Sequence, residues 1–537
     1  FNKAWNFQES GKSIKLSSKQ FLKQEQRFSQ KLTQSSDPLP TPNPDPDPTP
    51  DPTQDPAPSP TPTPEPEKPT LSSWASNEPL FRYQWGLFND GSMAGSKKAA
   101  DSDGYEYFGS IPFPNTGISP TAAGRNLIAV IDTGVNIEHL DLKNNLRASL
   151  DVIDGIDNDG NGLIDDVVGY DFVNNDADPN DDHGHGSHVA GLAAGAANGT
   201  GIVGVNPAAQ ILPIKVMDSK GSGSTANIIR GINYAIQKGA KILNLSLGMT
   251  SPDPALKLAI QQAETQGALI LAASGNDGRN IDLEPQYPAS FELNNIISVG
   301  ASDINDSIAS FSNIGAQSVD LLAPGTQMYS AWIGSPTAIQ SYNGTSMATP
   351  FVAGAISAFW SRNPQASPAQ VKQRLLSTVD PLGLSDKVLS GGRLNMARLM
   401  GIDATSNTTV DPLDDPLIGN DAEASANSQQ SKASVGLREL NALPRQLPDD
   451  LILFVKGRKA AKRQKAMEAL SQRIETNAGV FRRVDSLDVM TALDSTLAIV
   501  AFSDASHKRQ DKVELIETLL DQGFASGIAL SQTATLV

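Results

Sequence analysis

The chain has 537 residues, more than one ordinary core accommodates, so two domains joined by linkers is the expected organisation. A formal charge of −17 and a pI of about 4.8 argue against a nucleic-acid-binding surface, and fit either simple solubility or a load of calcium ligands. The absence of cysteine excludes a thiol nucleophile, a disulfide framework and thiolate metal sites.

No apolar run approaches the ~18–20 residues needed to span a bilayer, so no transmembrane segment is expected. The chain begins at Phe1, which leads us to expect that a signal peptide has been removed upstream. Residues 1–36 are polar and rich in Lys, Gln and Ser, and predict at most a weak helix. The linker, 37–76, opens with alternating proline, DPLPTPNPDPDPTPDPTQDPAPSPTPTPEPEKPT, a semi-rigid polyproline spacer suited to tethering a domain to a surface. Residues 77–403 then alternate short apolar runs with helical patterns. Leu127–Ile131, Ile211–Val216, Ile242–Leu245, Ala268–Ala272 and Ile296–Val299 read as buried strands. Thr225–Gln237 and Asp253–Gln266 read as helices between them, and the alternation predicts an α/β domain with a parallel sheet flanked by helices. A second polar linker, 404–447, precedes a last segment, 448–537.

Three motifs carry chemistry. Ala129-Val-Ile-Asp132-Thr-Gly-Val135 is a strand ending in a carboxylate and a glycine turn, where open α/β sheets place their sites. His183-Gly-His185-Gly-Ser-His188-Val-Ala-Gly191 holds three of the five histidines, with glycines leaving a ring face of His185 open. Zinc is disfavoured there, because no H-E-x-x-H occurs and no cysteine joins the cluster. Asn343-Gly-Thr-Ser346-Met-Ala-Thr-Pro350 leads into the apolar helix Phe351–Trp360. It sets Ser346 at a helix N-terminus, where free N–H groups stabilise an oxyanion; simple capping by Thr345 or Ser346 is the plainer alternative.

The order Asp, His, Ser together with VIDTGV, HGSHVAG and GTSMATP closely resembles subtilisin-type serine peptidases (subtilases, peptidase family S8), over roughly residues 77–403 from near Gln84-Trp-Gly-Leu87 onward. The resemblance implies a three-layer subtilisin-like fold. It also implies a secreted or surface-tethered serine endopeptidase that acts on proteins and peptides through an acyl-enzyme. Asp132, His185 and Ser346 are its expected triad, with Asn276 in Ser274-Gly-Asn276-Asp-Gly278 as the side-chain donor to the oxyanion. In the family a peptide adds as a strand between segments resembling Gly221-Ser222-Gly223 and Ser246-Leu247-Gly248. Asp277 matches a pocket-rim position and implies a preference for basic or large polar side chains.

Asp157-Asn-Asp159-Gly-Asn161-Gly162-Leu163-Ile-Asp165-Asp166 has most of the spacing of an EF-hand loop. Val168 stands at the twelfth place, so Asp166 or Asp154 has to replace the usual acid. Asp171, Asn174, Asp176, Asp178 and Asn180 resemble a site of thermitase-like members. Asp141 and Asn198, with carbonyls of the 196–202 loop, resemble the site most widely shared in the family. One to three structural Ca²⁺ sites are therefore expected, since all-oxygen donors select calcium. Finally, Leu451–Val455, Lys459–Thr476, Val480–Ala492, Thr496–Phe502, Lys508–Gln522 and Ile528–Val537 read as β-α-β-β-α-β, a small ferredoxin-like α+β domain. It resembles subtilase pro-regions, and so implies an intramolecular inhibitor or folding chaperone placed after the peptidase.

Overall fold

The computed structural model describes residues 4–9, 12–17, 78–87, 89, 126–401, 450–455, 484–491, 496–502, 525–530 and 533–537. The proline-rich linker, the second linker and the expected helices Lys459–Thr476 and Lys508–Gln522 lie outside these residues. The chain divides into two units, Phe1–Glu67 and Lys68–Val537.

In the first unit β1 (Ala4–Glu9) and β2 (Lys12–Ser17) form an antiparallel pair, with Trp5 opposite Leu16 and Phe7 opposite Ile14. This corrects the weak-helix reading of residues 1–36. The alternation Trp5-Asn6-Phe7 against Ile14-Lys15-Leu16 has a period of two, and that pattern suits a strand although the segment as a whole is polar.

The second unit is built on a nine-stranded sheet. Its core strands are β3 (Leu127–Asp132), β4 (Tyr170–Asp171), β5 (Gln210–Lys215), β7 (Ile242–Leu245), β9 (Leu269–Ala273), β10 (Ile296–Ser302) and β11 (Leu321–Pro324). Two short strands, β14 (Asp380–Pro381) and β15 (Gly392–Arg393), extend one edge. The order is β14-β15-β11-β10-β9-β7-β3-β5-β4, and every pair except β14–β15 is parallel.

Four helices cover this sheet: α1 (His185–Ala194), α2 (Thr225–Gln237), α3 (Pro254–Thr265) and α4 (Thr345–Arg362). Sequence explains their bounds. Ser224 accepts from Asn227 N to start α2; Asp253, ahead of Pro254, accepts from the N–H groups of Ala255 and Leu256 to start α3. Alternate residues of β3 enter opposite layers: Ile128 and Val130 pack with residues of α1 and α4, while Leu127, Ala129 and Ile131 pack with those of α2 and α3. The result is a three-layer α/β fold. None of the described helices is long and apolar enough to cross a membrane.

From β3 the chain runs to β4 and β5 on one side and then crosses to β7 on the other, so the switch in strand order falls beside the C-terminal end of β3. Ligand clefts of open α/β sheets form at such a point. Asp132 is the last residue of β3.

Two further strands flank this cleft, β6 (Ser222–Ser224) and β8 (Leu247–Gly248), and β12 (Met328–Ala331) pairs antiparallel with β13 (Ile339–Tyr342). Beyond the second linker, β16 (Asp450–Val455), β17 (Val484–Thr491), β18 (Thr496–Phe502) and β19 (Ala525–Leu530) make an antiparallel sheet in the order β17-β18-β16-β19. The expected single strand Ile528–Val537 is in fact two: β19 ends at Leu530, and β20 (Thr533–Leu536) joins β6 and β8 instead.

Candidate active site

Helix α1 brings His185 to the end of β3, where its Nδ1 lies 2.8 Å from Asp132 Oδ1. Asp132 and His185 are both buried, and the same Asp132 oxygen accepts from Thr133 N at 2.8 Å. Glycine makes this approach feasible: a Cβ at Gly186 would lie 2.1 Å from the Gly134 carbonyl oxygen and 3.2 Å from Asp132 Oδ1.

Asp181 fixes the start of α1. Its Oδ1 accepts from Thr133 Oγ1 at 2.9 Å, His183 N at 2.9 Å and Gly184 N at 2.8 Å; its Oδ2 accepts from Ser187 N at 2.9 Å and Ser187 Oγ at 2.6 Å. Nothing in the sequence reading singled out Asp181, because an acidic residue beside Asp182 and His183 looks like part of a solvated run. The useful signal was its place four residues ahead of His185.

His188, one helical turn further on, is fully buried, and its Nε2 sits 2.9 Å from Met328 O and 3.1 Å from Gln340 O. Two acceptors at Nε2 put the proton on that nitrogen. Burial, with a smaller contribution from His185, pushes its pKa down to about 3, so it stays neutral.

Ser346 lies in the first turn of α4, whose N-cap is Gly344 with no side-chain cap; neither Thr345 nor Ser346 caps the helix. Pro350 within α4 has no N–H for the Ser346 carbonyl. Ser246 Oγ donates to that carbonyl at 3.0 Å instead, and Ser346 Oγ donates to Ser246 O at 3.2 Å. A proline that would ordinarily break a helix thus frees the group that ties the Ser346 turn to the segment leading into β8.

Asn276 follows β9. Its Oδ1 accepts from Thr345 N at 2.9 Å and Thr345 Oγ1 at 3.0 Å, which turns Nδ2 the other way. Thr345 Oγ1 also accepts from Gly275 N at 3.1 Å, so Thr345 positions the amide from both sides. Asn276, His185 and Ser346 line one cavity of about 280 Å³ together with His183, Tyr342 and Val537.

The groove expected between Gly221–Gly223 and Ser246–Gly248 is occupied by the chain itself. Thr533, Ala534 and Thr535 pair antiparallel with Ser224, Gly223 and Ser222; Thr535 and Leu536 pair with Gly248 and Leu247. Leu536 N donates to Gly221 O at 3.2 Å. Ala534 is wholly buried, and Val537 reaches the cavity beside Ser346. Asp277 is exposed, pairs with Arg279 at 2.9 Å, and is not among the residues lining that cavity.

The expected calcium ligands are brought together unevenly. Asp157 turns its oxygens onto the N–H groups of Gly160, Asn161 and Gly162, and Asp165 onto those of Asp154 and Gly155. Asn161 Oδ1 accepts from Leu163 N at 2.7 Å. The carboxylates that converge within 4.8 Å are Asp159 and Asp166 with Asp151, which the sequence reading missed. Lys238 Nζ pairs with Asp159 and, at 2.7 Å, with Asp166, whose other oxygen is buried without a partner. Burial and the facing Asp151 push the Asp166 acid up.

Asp171 accepts from Val173 N, Asn174 N and Asn174 Nδ2, while Asp176 and Asp178 bond the next loop amides, at Asp178 and Asn180. Asn180 Oδ1 faces Ile137 N at 3.4 Å. Near Asp141 and Asn198 the structure adds Glu78, whose Oε1 accepts from Gly199 N at 2.7 Å. Its Oε2 is buried without a partner, and burial followed by the charge of Asp141 pushes its pKa up. Thr200 Oγ1 donates to Asp141 Oδ1 at 2.8 Å, and Asn198 Nδ2 donates to Leu140 O. Two buried acids with an orphaned oxygen, in an all-oxygen loop, fit a hard cation.

The subtilase family model matches residues 125–410. The chain belongs to the subtilase family. Similar proteins include thermitase of Thermoactinomyces vulgaris, 38% identical over 50% of this chain and 86% of that protein. Subtilisin DY of Bacillus licheniformis is 38% identical over 48% of this chain and 84% of its own length. The cell wall-associated protease of Bacillus subtilis (strain 168) is 39% identical over 57% of this chain and 30% of its length. This subtilase is a serine-type endopeptidase.

Proposed function

We propose that Ser346 is the nucleophile, His185 the general base and Asp132 the residue that orients and stabilises its imidazolium. The observation that carries this is the 2.8 Å His185–Asp132 contact at the sheet's switch point, with His185 lining one cavity with Ser346 and Asn276. Ser346 attacks the peptide carbonyl as His185 takes its proton and returns it to the leaving amine; water then releases the acyl group. The Ser346 N–H, free in the first turn of α4, and Asn276 Nδ2 donate to the oxyanion. Casein cleavage by the chain carrying Ala534→Asp, which frees the groove, and its abolition by adding Ser346→Ala are the expected results; activity retained with both substitutions would refute the assignment.

The groove between β6 and β8 receives substrate as an added strand. With β20 in that place, residues 448–537 act as an inhibitor of the peptidase in cis, and the strand order β17-β18-β16-β19 suits a ferredoxin-like domain. A charge at the buried Ala534 expels the strand, so Ala534→Asp should raise turnover at least about tenfold. Unchanged turnover would remove the inhibitory reading.

Glu78, Asp141, Asn198 and carbonyls of the 196–202 loop would hold structural Ca²⁺, whereas at Asp151, Asp159 and Asp166 the Lys238 ammonium already supplies the positive charge. The remaining loop residues, Asp157, Asn161, Leu163, Asp165 and the Asp171–Asn180 group, support those folds. The metal supplies positive charge to buried carboxylates and takes no part in acyl transfer. The relatives, one named as cell wall-associated, support action outside the cell or at its surface, with residues 37–76 as spacer.

A further inference from the structure

Gly248 stands between two side chains. A Cβ there would lie 3.0 Å from Val537 Cγ1 and 2.3 Å from Gln286 Nε2, so both groups abut the same stretch of β8. Gln286 is buried, and its Cγ lies 3.4 Å from where a Cβ of Gly275 would be, next to Asn276. Its side chain therefore crosses from β8 to the turn after β9, the two segments that meet beside Ser346. It is held in that position. Oε1 accepts from Arg279 Nη2 at 2.8 Å, and the main-chain N–H donates to Ser290 Oγ at 3.1 Å. Arg279 in turn pairs with Asp277 at 2.9 Å and with Glu284 at 3.7 Å, so both of these carboxylates already face its guanidinium.

We propose that Gln286 forms the floor of the pocket for the side chain immediately before the scissile bond, and that this peptidase takes small or β-branched aliphatic residues there. The inference rests on the groove assigned above, with Val537 in the position of that residue. An aromatic ring must displace a side chain anchored by Arg279, in a packed site where overfilling is penalised. A lysine meets Arg279 and an amide, while Asp277 and Glu284 are already engaged by that guanidinium. The basic preference expected from Asp277 is thus replaced by an aliphatic one.

The test uses the full chain carrying Ala534→Asp, to vacate the groove, and Ser346→Ala, to prevent turnover. Acetylated peptide 4-nitroanilides Thr-Ala-Thr-Leu-X, with X as Val, Phe or Lys and the anilide bond after X as the scissile one, are titrated by calorimetry. Val should bind at least about tenfold more tightly than Phe or Lys. Adding Gln286→Gly should bring Phe level with Val or ahead of it, and Gln286→Ala should give an intermediate ranking. Phe or Lys ahead of Val with Gln286 present, a ranking unmoved by either substitution, or no binding by any peptide would overturn the proposal. If the peptides rank as stated but the chain with Ser346 intact cleaves none of them, the pocket assignment stands and the catalytic reading falls.

Discussion

Asp181 offers the sharpest test of how the triad is positioned. Its two carboxylate oxygens accept five hydrogen bonds within 2.9 Å, from Thr133, His183, Gly184 and Ser187, and together these join the end of β3 to the first turn of α1. Asp181→Ala leaves those donors unpaired in a buried site. Removing one member of a buried, charge-assisted network costs about 3–5 kcal/mol, and at roughly 2–4 °C per kcal/mol the melting temperature should fall by about 10 °C. The kinetic effect is separate. His185 begins α1, so a shift of that turn changes the His185–Asp132 and His185–Ser346 geometry together, and a misplacement of about 1 Å costs on the order of 10²-fold in rate. The assay is kcat/KM on a peptide substrate well below the melting temperature, in full chain carrying Ala534→Asp. Asp181→Asn, which keeps the volume and one acceptor oxygen, should lie between wild type and Ala. A rate within twofold of wild type for Asp181→Ala would refute the idea that this carboxylate sets the triad.

Three further outcomes are expected. Asn276→Ala should lower kcat by about 10²–10³-fold with KM little changed, a magnitude taken from a member of this same family; a change in KM alone would mean that the amide binds the ground state. His188 is held neutral with its pKa pushed down to about 3 from an ordinary 6.5, so its contribution to stability is complete above pH 6.5 and is lost as pH falls toward 3. The loss is about 1.4 kcal/mol per pH unit, or about 2 kcal/mol at pH 5, and urea unfolding should show that slope in wild type and not in His188→Gln. EGTA should lower the melting temperature in wild type, and Glu78→Gln should diminish that shift; a melting temperature indifferent to EGTA would remove calcium from the account.

The parts legible in the sequence were those whose meaning is local. Strand β3 ends on Asp132, His185 is flanked by glycines, and Ser346 opens an apolar helix; each is readable within about ten residues. The expected helices Thr225–Gln237 and Asp253–Gln266 are readable over a similarly short span and lie within one residue of α2 and α3 at each end. What escaped depends on contacts made across the fold. Asp181 matters because Thr133 and Ser187 converge on it. Thr345 looked like a cap and proved to orient Asn276. Glu78 acquires its chemistry only when Gly199 and Asp141 are folded against it. The last strand was misread for a related cause: nothing between Leu530 and Thr533 marks a break, and the partners of β20 lie near residues 223 and 247, far away in sequence.

The central claim is that Ser346 is activated by His185 and Asp132, and it is tested most directly by labelling the chain with a fluorophosphonate probe and mapping the adduct by mass spectrometry. In the Ala534→Asp background the account predicts one adduct, on Ser346, formed much more slowly when His185 is replaced by Ala. No adduct, or an adduct on another serine, would contradict it.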